Sequence, residues 1–239
     1  VNDMEETPKV PAIRFKGFTD AWEQREMGML GKTYRGLSGK TKSDFGHGQG
    51  EYITYLNVFN NPIIDPLMTE KVVADTKQRE VRFGDVFFTT SSETPEEVGM
   101  SSVMLDSSVL TYLNSFCFGY RPHIEFDNHY LAFMFRSSVI RKEMTKLAQG
   151  ISRYNLSMTK VMEIEIPIPQ IPEQRQIGAL LTSLDHLITL HQRKLSKLKN
   201  IKKAMLDKLF PKEGQDTPDL RFAGFTDAWE QREMGMLGK

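Results

Sequence analysis

Residues 166–210 constrain the fold more than any other part of the chain. They read I-P-I-P-Q-I-P-E-Q-R-Q-I-G-A-L-L-T-S-L-D-H-L-I-T-L-H-Q-R-K-L-S-K-L-K-N-I-K-K-A-M-L-D-K-L-F. The alternating prolines Pro167, Pro169 and Pro172 hold the backbone extended at the start, because proline is excluded from a helix interior. Pro172 is compatible with a first helical turn, and Glu173 beside it suits the positive end of a helix dipole. No proline or turn cluster follows until Pro211, and Gly178 is the only glycine in between. Ile177, Leu181, Leu184, Ile188, Leu195, Leu198, Met205 and Leu209 recur at alternating spacings of four and three, interrupted only at His191 and Lys202. That is the pattern of a coiled-coil seam. At ~1.5 Å per residue, a helix of roughly 37 residues is about 55 Å long. Burying the seam side chains is worth a gross ~12–24 kcal/mol, so the pattern predicts a partner surface. Leu180, Leu187 and Ile201 widen the stripe.

The chain has 239 residues, room for one domain with an appendage or for two small domains. Its formal net charge is zero and its hydrophobic content 39%, as in soluble globular proteins. No apolar run approaches the ~18 residues of a membrane helix, and the polar, acidic opening V-N-D-M-E-E-T-P-K is unlike a secretory signal. Cys117 is the single cysteine, which excludes intrachain disulfides and cysteine-rich zinc sites. The expected compartment is the cytoplasm, with no membrane partner. Charge is uneven, however. From His191 to Lys212 there are eight bases (Arg193, Lys194, Lys197, Lys199, Lys202, Lys203, Lys208, Lys212) against one acid, Asp207. Either this is a solvated helix face, or the helix lies near a phosphate backbone or an acidic partner.

A repeat frames the chain. Residues 14–32 read R-F-K-G-F-T-D-A-W-E-Q-R-E-M-G-M-L-G-K, and residues 221–239 match them at every position except Lys16, which is replaced by Ala223. The offset is far longer than the roughly 20–50 residues of a solenoid unit. The parse is a globular body over 11–170, a long helix over 171–210, and a tail over 211–239 that opens a second unit.

The body reads as α+β. Thr19 or Asp20 can cap a short turn holding Trp22, leading towards residues 27–30. Residues 34–50 hold five glycines with Lys40, Lys42 and His47, and predict a long mobile loop. Residues 51–59 have strand composition, ended by Asn60-Asn61-Pro62. Residues 81–90 predict a turn at Gly84-Asp85 and then a buried strand, and residues 110–120 a further aromatic strand. Asp127 or Asn128 can cap a helix over about 129–148, closed by Gly150. Strands followed by helices suggest an α+β architecture.

Catalytic signatures are missing. The triplets Gly31-Lys32-Thr33 and Gly39-Lys40-Thr41 lack the earlier glycine of a phosphate loop, since Glu26 and Tyr34 stand there. Asn61-Pro62-Ile63-Ile64 begins like an amino-methyltransferase motif but lacks its second proline and aromatic. The five histidines (His47, His123, His129, His186, His191) show no metal-ligand pairing, and no serine has a nucleophile-elbow context. What remains suits recognition. The candidates are Lys40, Lys42, His47, Gln49 and Tyr52 in and after the glycine-rich stretch, Thr90, Ser91 and Ser92 at a strand end, and Arg153, Tyr154 and Asn155 after the second helix. Arg, Gln and Asn read base edges, Lys, Ser and Thr hold phosphates, and Tyr can stack. Ordinary polar loops have the same composition.

Residues 150–188, G-I-S-R-Y-N-L-S-M-T-K-V-M-E-I-E-I-P-I-P-Q-I-P-E-Q-R-Q-I-G-A-L-L-T-S-L-D-H-L-I, resemble the close of a target-recognition domain and the start of the long helix in specificity subunits of type I restriction–modification systems. The glycine-containing loop, the I-P-I-P run, Glu173-Gln174 and Leu184-Asp185 carry the likeness. R-F-x-G-F-T-D-A-W-E-Q-R is similar to the opening of such subunits. Gly84-Asp85-Val86-Phe87, residues 89–92 and Gly99 resemble the family's mid-domain strand.

The resemblance implies a non-catalytic DNA-specificity subunit. Such subunits carry two target-recognition domains spaced by two long helices, each domain reading half of a split double-stranded DNA site. Methyltransferase subunits, which hold the S-adenosylmethionine, dock around them to methylate an adenine in each half, and a translocating nuclease subunit can join. No cofactor is expected in this chain. One recognition domain, one helix and the opening of a second unit make it look like a half-subunit, for which an antiparallel homodimer and a palindromic, gapped site are expected. The alternative is a coiled-coil adaptor or regulator that binds proteins without reading DNA.

Overall fold

The computed structural model describes residues 10–106 and 108–238. In chain order its elements are β1 (Glu23–Glu26), β2 (Gly31–Arg35), β3 (Phe45–Ile53), α1 (Tyr55–Asn60), β4 (Thr69–Val72), β5 (Val86–Thr89), β6 (Ser91–Ser92), β7 (Ser101–Val103), β8 (Thr111–Leu113) and β9 (Cys117–Pro122). There follow α2 (Asn128–Met134), α3 (Ser138–Lys146), β10 (Tyr154–Asn155), α4 (Met158–Val161), β11 (Glu165–Ile168), α5 (Ile171–Leu209) and α6 (Met234–Leu237). The mixed α and β body and the long helix are as expected. The chain divides into two compact units, residues 1–182 and 183–239, and α5 runs from the first into the second.

The first unit is built on a four-stranded sheet in the order β2-β9-β5-β7 and a three-stranded sheet in the order β4-β3-β8. Strand β5 reads V-F-F-T and is buried on both faces, so it is apolar without alternation. Successive side chains point to opposite sides. Phe88 therefore joins one core, stacked on Phe118 with ring centroids 5.2 Å apart and edge-on to Phe135 at 5.0 Å. Phe87 joins the other, with Ile53, Val58 and Leu113. The Gly84-Asp85 turn and buried strand expected from the sequence are present, Gly84 taking a positive φ of 81°.

Local expectations fail where side-chain hydrogen bonds compete with composition. The strand expected over 51–59 ends at Ile53, because the Thr54 hydroxyl accepts from the Asn57 amide at 3.2 Å and starts α1. The strand expected over 110–120 splits into β8 and β9 around residues 114–116, where the Asn114 side chain accepts from the Phe116 amide at 2.8 Å. The single helix over 129–148 is two helices. Asp127 caps the first through the Tyr130 amide at 2.8 Å, as expected, but Ser137 is extended and restarts the chain as α3. In the break, the Arg136 guanidinium donates to the carbonyls of Ser101, Val58, Phe59 and Asn61 at 2.7–3.0 Å.

The start of α5 is fastened to the body by three groups. Glu173 is buried, and its carboxylate accepts from Arg14 Nε at 2.6 Å, Arg14 Nη2 at 2.8 Å and Trp22 Nε1 at 3.2 Å. Gln174, also buried, accepts from the Asp127 amide at 3.0 Å and donates to the Pro169 carbonyl at 2.8 Å. Gly178 lies so close to α2 that a Cβ there would come within 2.6 Å of Asp127 Oδ1 and 2.8 Å of the Tyr130 amide. Just upstream, β11 pairs antiparallel with β1, from Glu23 opposite Ile168 to Glu26 opposite Glu165. Asp20, expected to cap a turn, instead accepts from Gln170 Nε2 at 3.0 Å.

The second unit holds the rest of α5 and residues 210–238. Here the Leu220 amide donates to the Lys208 carbonyl at 2.9 Å, the Trp229 amide to the Asp216 carbonyl at 2.7 Å, and the Trp229 ring stands edge-on to Phe210.

Asp85 is the buried charge inside the sheet. It accepts from Arg121 Nε and Nη2, each at 2.6 Å, from the Tyr34 hydroxyl at 2.6 Å and from the Arg82 amide at 2.8 Å. Burial and the adjoining carboxylate push the Tyr34 hydroxyl far above the usual phenol range. Asp85→Ala strands Arg121 and should cost about 3–5 kcal/mol of stability. Asp85→Asn, which can still accept a hydrogen bond, should cost less. Urea unfolding midpoints at unchanged slope give the comparison, and equal midpoints for wild type and Asp85→Ala would contradict it.

Candidate nucleic-acid interface

An open groove of about 900 Å³ runs across the first unit. Its walls are the end of β2 and the turn after it, β3, the start of α1, the turn between β8 and β9, Thr90 and Met158. Three local features hold it open. Gly36 allows β2 to turn beside the 114 carbonyl, where a Cβ would come within 1.9 Å. Thr41 and Asp44 cap a short 3-10 turn over Lys42–Asp44, with the Thr41 amide donating to Asp44 Oδ2 at 2.7 Å. Those hydrogen bonds hold the Asp44 carboxyl below the usual range. Ser38 and Gln78 exchange two hydrogen bonds of 3.1 Å, which ties this turn to the segment after β4.

The long mobile loop expected over 34–50 is therefore only partly a loop, with residues 36–41 outside any helix or strand. Its second half is the start of β3, a strand that bulges between Phe45 and Gly50 where it pairs with β4. Gly46 and Gly48 take φ of 82° and 104°, and Gly48 passes against the Val72 backbone with no room for a Cβ. The glycines make an irregular strand edge rather than a tether.

The expected recognition residues fall into three groups. Lys42, His47 and Gln49 are exposed along the turn and the bulged strand, and His47 Nδ1 lies 3.1 Å from the Phe45 carbonyl. Lys40 and Tyr52 line the groove but are occupied. Lys40 Nζ sits 3.2 Å from Asp75 Oδ2, with its side chain 10% exposed, and Tyr52 donates to Glu70 Oε2 at 2.5 Å. Partial burial and the Glu70 carboxylate push the Tyr52 hydroxyl up to about 12, so it remains a neutral donor. The third group is one ribbon: β6 pairs antiparallel with β10, placing Ser92 opposite Tyr154 and Ser91 opposite Asn155. Ser91 and Ser92 are buried in that pairing, whereas Arg153 and Asn155 are exposed. Thr90 donates its hydroxyl to the Phe116 carbonyl at 2.8 Å and lines the groove.

Several groove residues escaped the sequence reading. Arg35 is exposed at the end of β2. Leu56 and Phe116 present apolar surface, each 59% exposed, and Tyr55 reaches across to donate to the Ser91 carbonyl at 2.8 Å. The signal for Phe116 was a large aromatic in a turn begun by asparagine, where nothing local buries it. Among the described residues, no group of three or more His, Cys, Asp or Glu side chains stands close enough to hold a metal ion.

Along α5, Ile177 packs on the body's main core and Leu181 is half-buried. Leu184, Ile188, Leu195 and Leu198 are 45–54% exposed, and so are Leu187 and Ile201 beside them. Met205 and Leu209 are half-buried within the second unit. None of the described helices is long and apolar enough to cross a membrane.

A sheet-based body carrying an open groove with exposed polar and aromatic residues, joined to a long helix with an apolar stripe, is an architecture suited to recognition. The profile of the type I restriction modification DNA specificity domain matches residues 19–200, and the chain belongs to that family. It is 25% identical over 227 residues to a putative type I restriction enzyme MjaX specificity subunit from Methanocaldococcus jannaschii, a match covering 90% of this chain and 52% of that protein. The fold is shared with the type I restriction–modification S subunit from M. genitalium (TM-score 0.52, 15% identity, 84% of this chain and 46% of that one). It is also shared with the HsdS subunit from Thermoanaerobacter tengcongensis (TM-score 0.54, 18% identity, 83% and 46%). The chain thus spans about half the length of these relatives.

Cys117 lies beneath the groove floor, 3.3 Å from Asn114 Nδ2, and burial pushes its thiol up to about 12. In an unfolded chain the thiol titrates at about 8.5. The folded state therefore keeps a proton that the unfolded state releases. Cys117 leaves stability undiminished below about pH 8.5 and lowers it as the pH rises towards 12. Iodoacetamide at pH 8.5 should modify Cys117 only slowly in the native protein and rapidly in urea; equal rates would place the thiol at the surface.

Proposed function

We propose that the chain is a non-catalytic specificity component of a type I restriction–modification enzyme that reads one half of a bipartite DNA site and works as a homodimer. The carrying observation is the apolar stripe of α5, where Leu184, Ile188, Leu195 and Leu198 stand half in solvent along a helix otherwise lined with charge. A second copy supplies the matching surface. Antiparallel pairing of two such helices through the stripe gives a two-fold symmetric reader. Its target is a short half-site, a gap and the inverted half-site. Methyltransferase subunits carrying S-adenosylmethionine dock on this frame and methylate an adenine in each half, and a translocating nuclease subunit can be added.

Within each copy the groove and the β6–β10 ribbon face the DNA. Arg35, Lys42 and Arg153 meet phosphates or base edges, Gln49 and Asn155 offer paired donors and acceptors, and Phe116 supplies an apolar contact. Lys40 plays a different part. Its charge is answered by Asp75, so it holds the turn in place.

Three experiments test this reading. Lys42→Ala with Arg153→Ala should weaken DNA binding in the presence of the methyltransferase subunit and reduce the salt slope by roughly 0.9 for each phosphate no longer neutralised. Lys40→Ala should leave that slope unchanged. Leu184→Asp with Leu198→Asp should yield a monomer in light scattering. Methylome sequencing of DNA modified by the wild-type chain and its methyltransferase should return a palindromic, gapped adenine motif. An asymmetric motif, or an unchanged dimer mass in the double variant, would remove the symmetric helix-paired reader.

A further inference from the structure

Among the described residues the second copy of the repeat has no β11–Glu173 seat of its own, and its Trp229 stands edge-on to Phe210 instead. The first copy shows what the repeat does. Arg14 and Trp22 close on the buried Glu173 carboxylate, and Glu23–Glu26 pairs with β11. The second copy carries the same side chains as Arg221, Trp229 and E-Q-R-E at 230–233. It also holds the same backbone. Gly17 and Gly224 have φ of 102° and 94°, the Phe18 amide donates to the Phe15 carbonyl at 3.5 Å and the Phe225 amide to the Phe222 carbonyl at 3.4 Å. Glu26 lies at φ −61°, ψ 136° and Glu233 at φ −65°, ψ 136°. The two copies part where β1 meets β11, for residues 230–233 pair with no strand among the described residues. Phe222, Phe225, Met234 and Met236 stand 67–88% exposed. The one sequence difference falls at Lys16, exposed on the turn and away from the Glu173 contacts.

We propose that residues 221–238 are a second clasp, which takes the β11–Glu173 seat of a second copy of this chain by displacing that copy's residues 14–31. The occupant is set by identity: the seat already binds this sequence, and its buried carboxylate requires a bidentate cation and an indole N–H. The proposal rests on the antiparallel helix dimer put forward above. In that arrangement the C-terminal end of one α5, from which the tail departs, lies beside the N-terminal end of the other, where Glu173 and β11 sit. Exchange replaces like contacts with like, so their free energies nearly cancel and local concentration decides. The first copy is held in cis through β2. The tail reaches comparable concentration only inside the dimer, so two states of one assembly, clasped in cis or clasped in trans, are close in free energy.

The test uses two full-length chains distinguished by a size tag, one carrying Glu165→Cys and the other Glu233→Cys, mixed and mildly oxidised. Glu26 stands opposite Glu165 in the β1–β11 register, so Glu233 takes that place after exchange. The exchanged positions are exposed glutamates, and the native thiol of Cys117 is buried. A chain with Glu26→Cys and Glu165→Cys, which should close an intramolecular disulfide, verifies that the register and fold survive. The expected result is a disulfide-linked heterodimer whose yield rises several-fold when Arg14→Ala loosens the first clasp in the Glu165→Cys chain. It should fall when Arg221→Ala and Trp229→Ala disable the second in the Glu233→Cys chain. No heterodimer from chains that light scattering shows to be dimeric overturns the exchange and leaves the helix dimer standing. Monomeric chains without cross-links overturn both.

Discussion

A carboxylate taken out of water has to be met by donors in fixed positions, and Glu173 is the point on which this architecture hangs. It sits in the first turn of α5, where the helix dipole favours a negative charge but cannot alone offset burial. Arg14 supplies two N–H groups and Trp22 a third. Satisfying them draws the beginning of the described chain onto a helix more than 150 residues later, and β1 then lies beside β11. Gln174 does the same for the α2 cap through the Asp127 amide, and Gly178 removes the side chain that would hold α2 away. Breaking any one of these joints loosens the root of the helix, so the Glu173-Gln174 pair has a structural role that needs no direct part in binding DNA.

The groove shows the opposite economy, with side chains held back from such pairing at its rim and used up at its wall. Lys40 with Asp75 and Tyr52 with Glu70 are paired at its wall, and Asp85, Arg121 and Tyr34 satisfy one another elsewhere in the body. The exposed cations Arg35, Lys42 and Arg153 are on turns and ribbon ends. This division separates the side chains that hold the fold from those left exposed to meet a partner. The paired interior keeps the strands in place, while the rim positions tolerate exchange because little else depends on them.

Periodicity made the long helix legible in the sequence, and the missing catalytic motifs pointed to recognition. The repeat framed one unit and the opening of a second, but gave no sign that Arg14 and Trp22 fasten the helix. What periodicity cannot express is partner choice over long separations. Glu173 looked like a residue placed for the helix dipole, because its actual partner Arg14 is distant in sequence. The glycines of 46–50 looked like a loop, because a bulged strand and a loop share the same composition and only the approach of Val72 separates them. Lys40 looked free for phosphate, because Asp75 meets it only after β3 and β4 have paired. Phe116 was missed because the pattern over 110–120 assigns it to a strand, and Arg35 because it fell within the expected 34–50 loop, where only Lys40, Lys42, His47 and Gln49 stood out.

The same helix has two kinds of face, and their order along the chain matters for mechanism. Its first two turns are consumed by the body through Glu173, Gln174 and Gly178, whereas from Leu184 to Ile201 its apolar residues remain partly in solvent. After Gly178 there is neither glycine nor proline until Pro211, so nothing in this span favours a hinge. In the proposed dimer built on that stripe, the number of helical residues between the root and the crossing point would set the gap between half-sites, and the rim residues of each groove would set the bases read. Gap and sequence would then vary independently. The 14–32 and 221–239 repeats flank the body and α5 alike, so an exchange at the repeats would carry groove and helix as one unit, and independent change of the groove would have to come from substitutions at its rim.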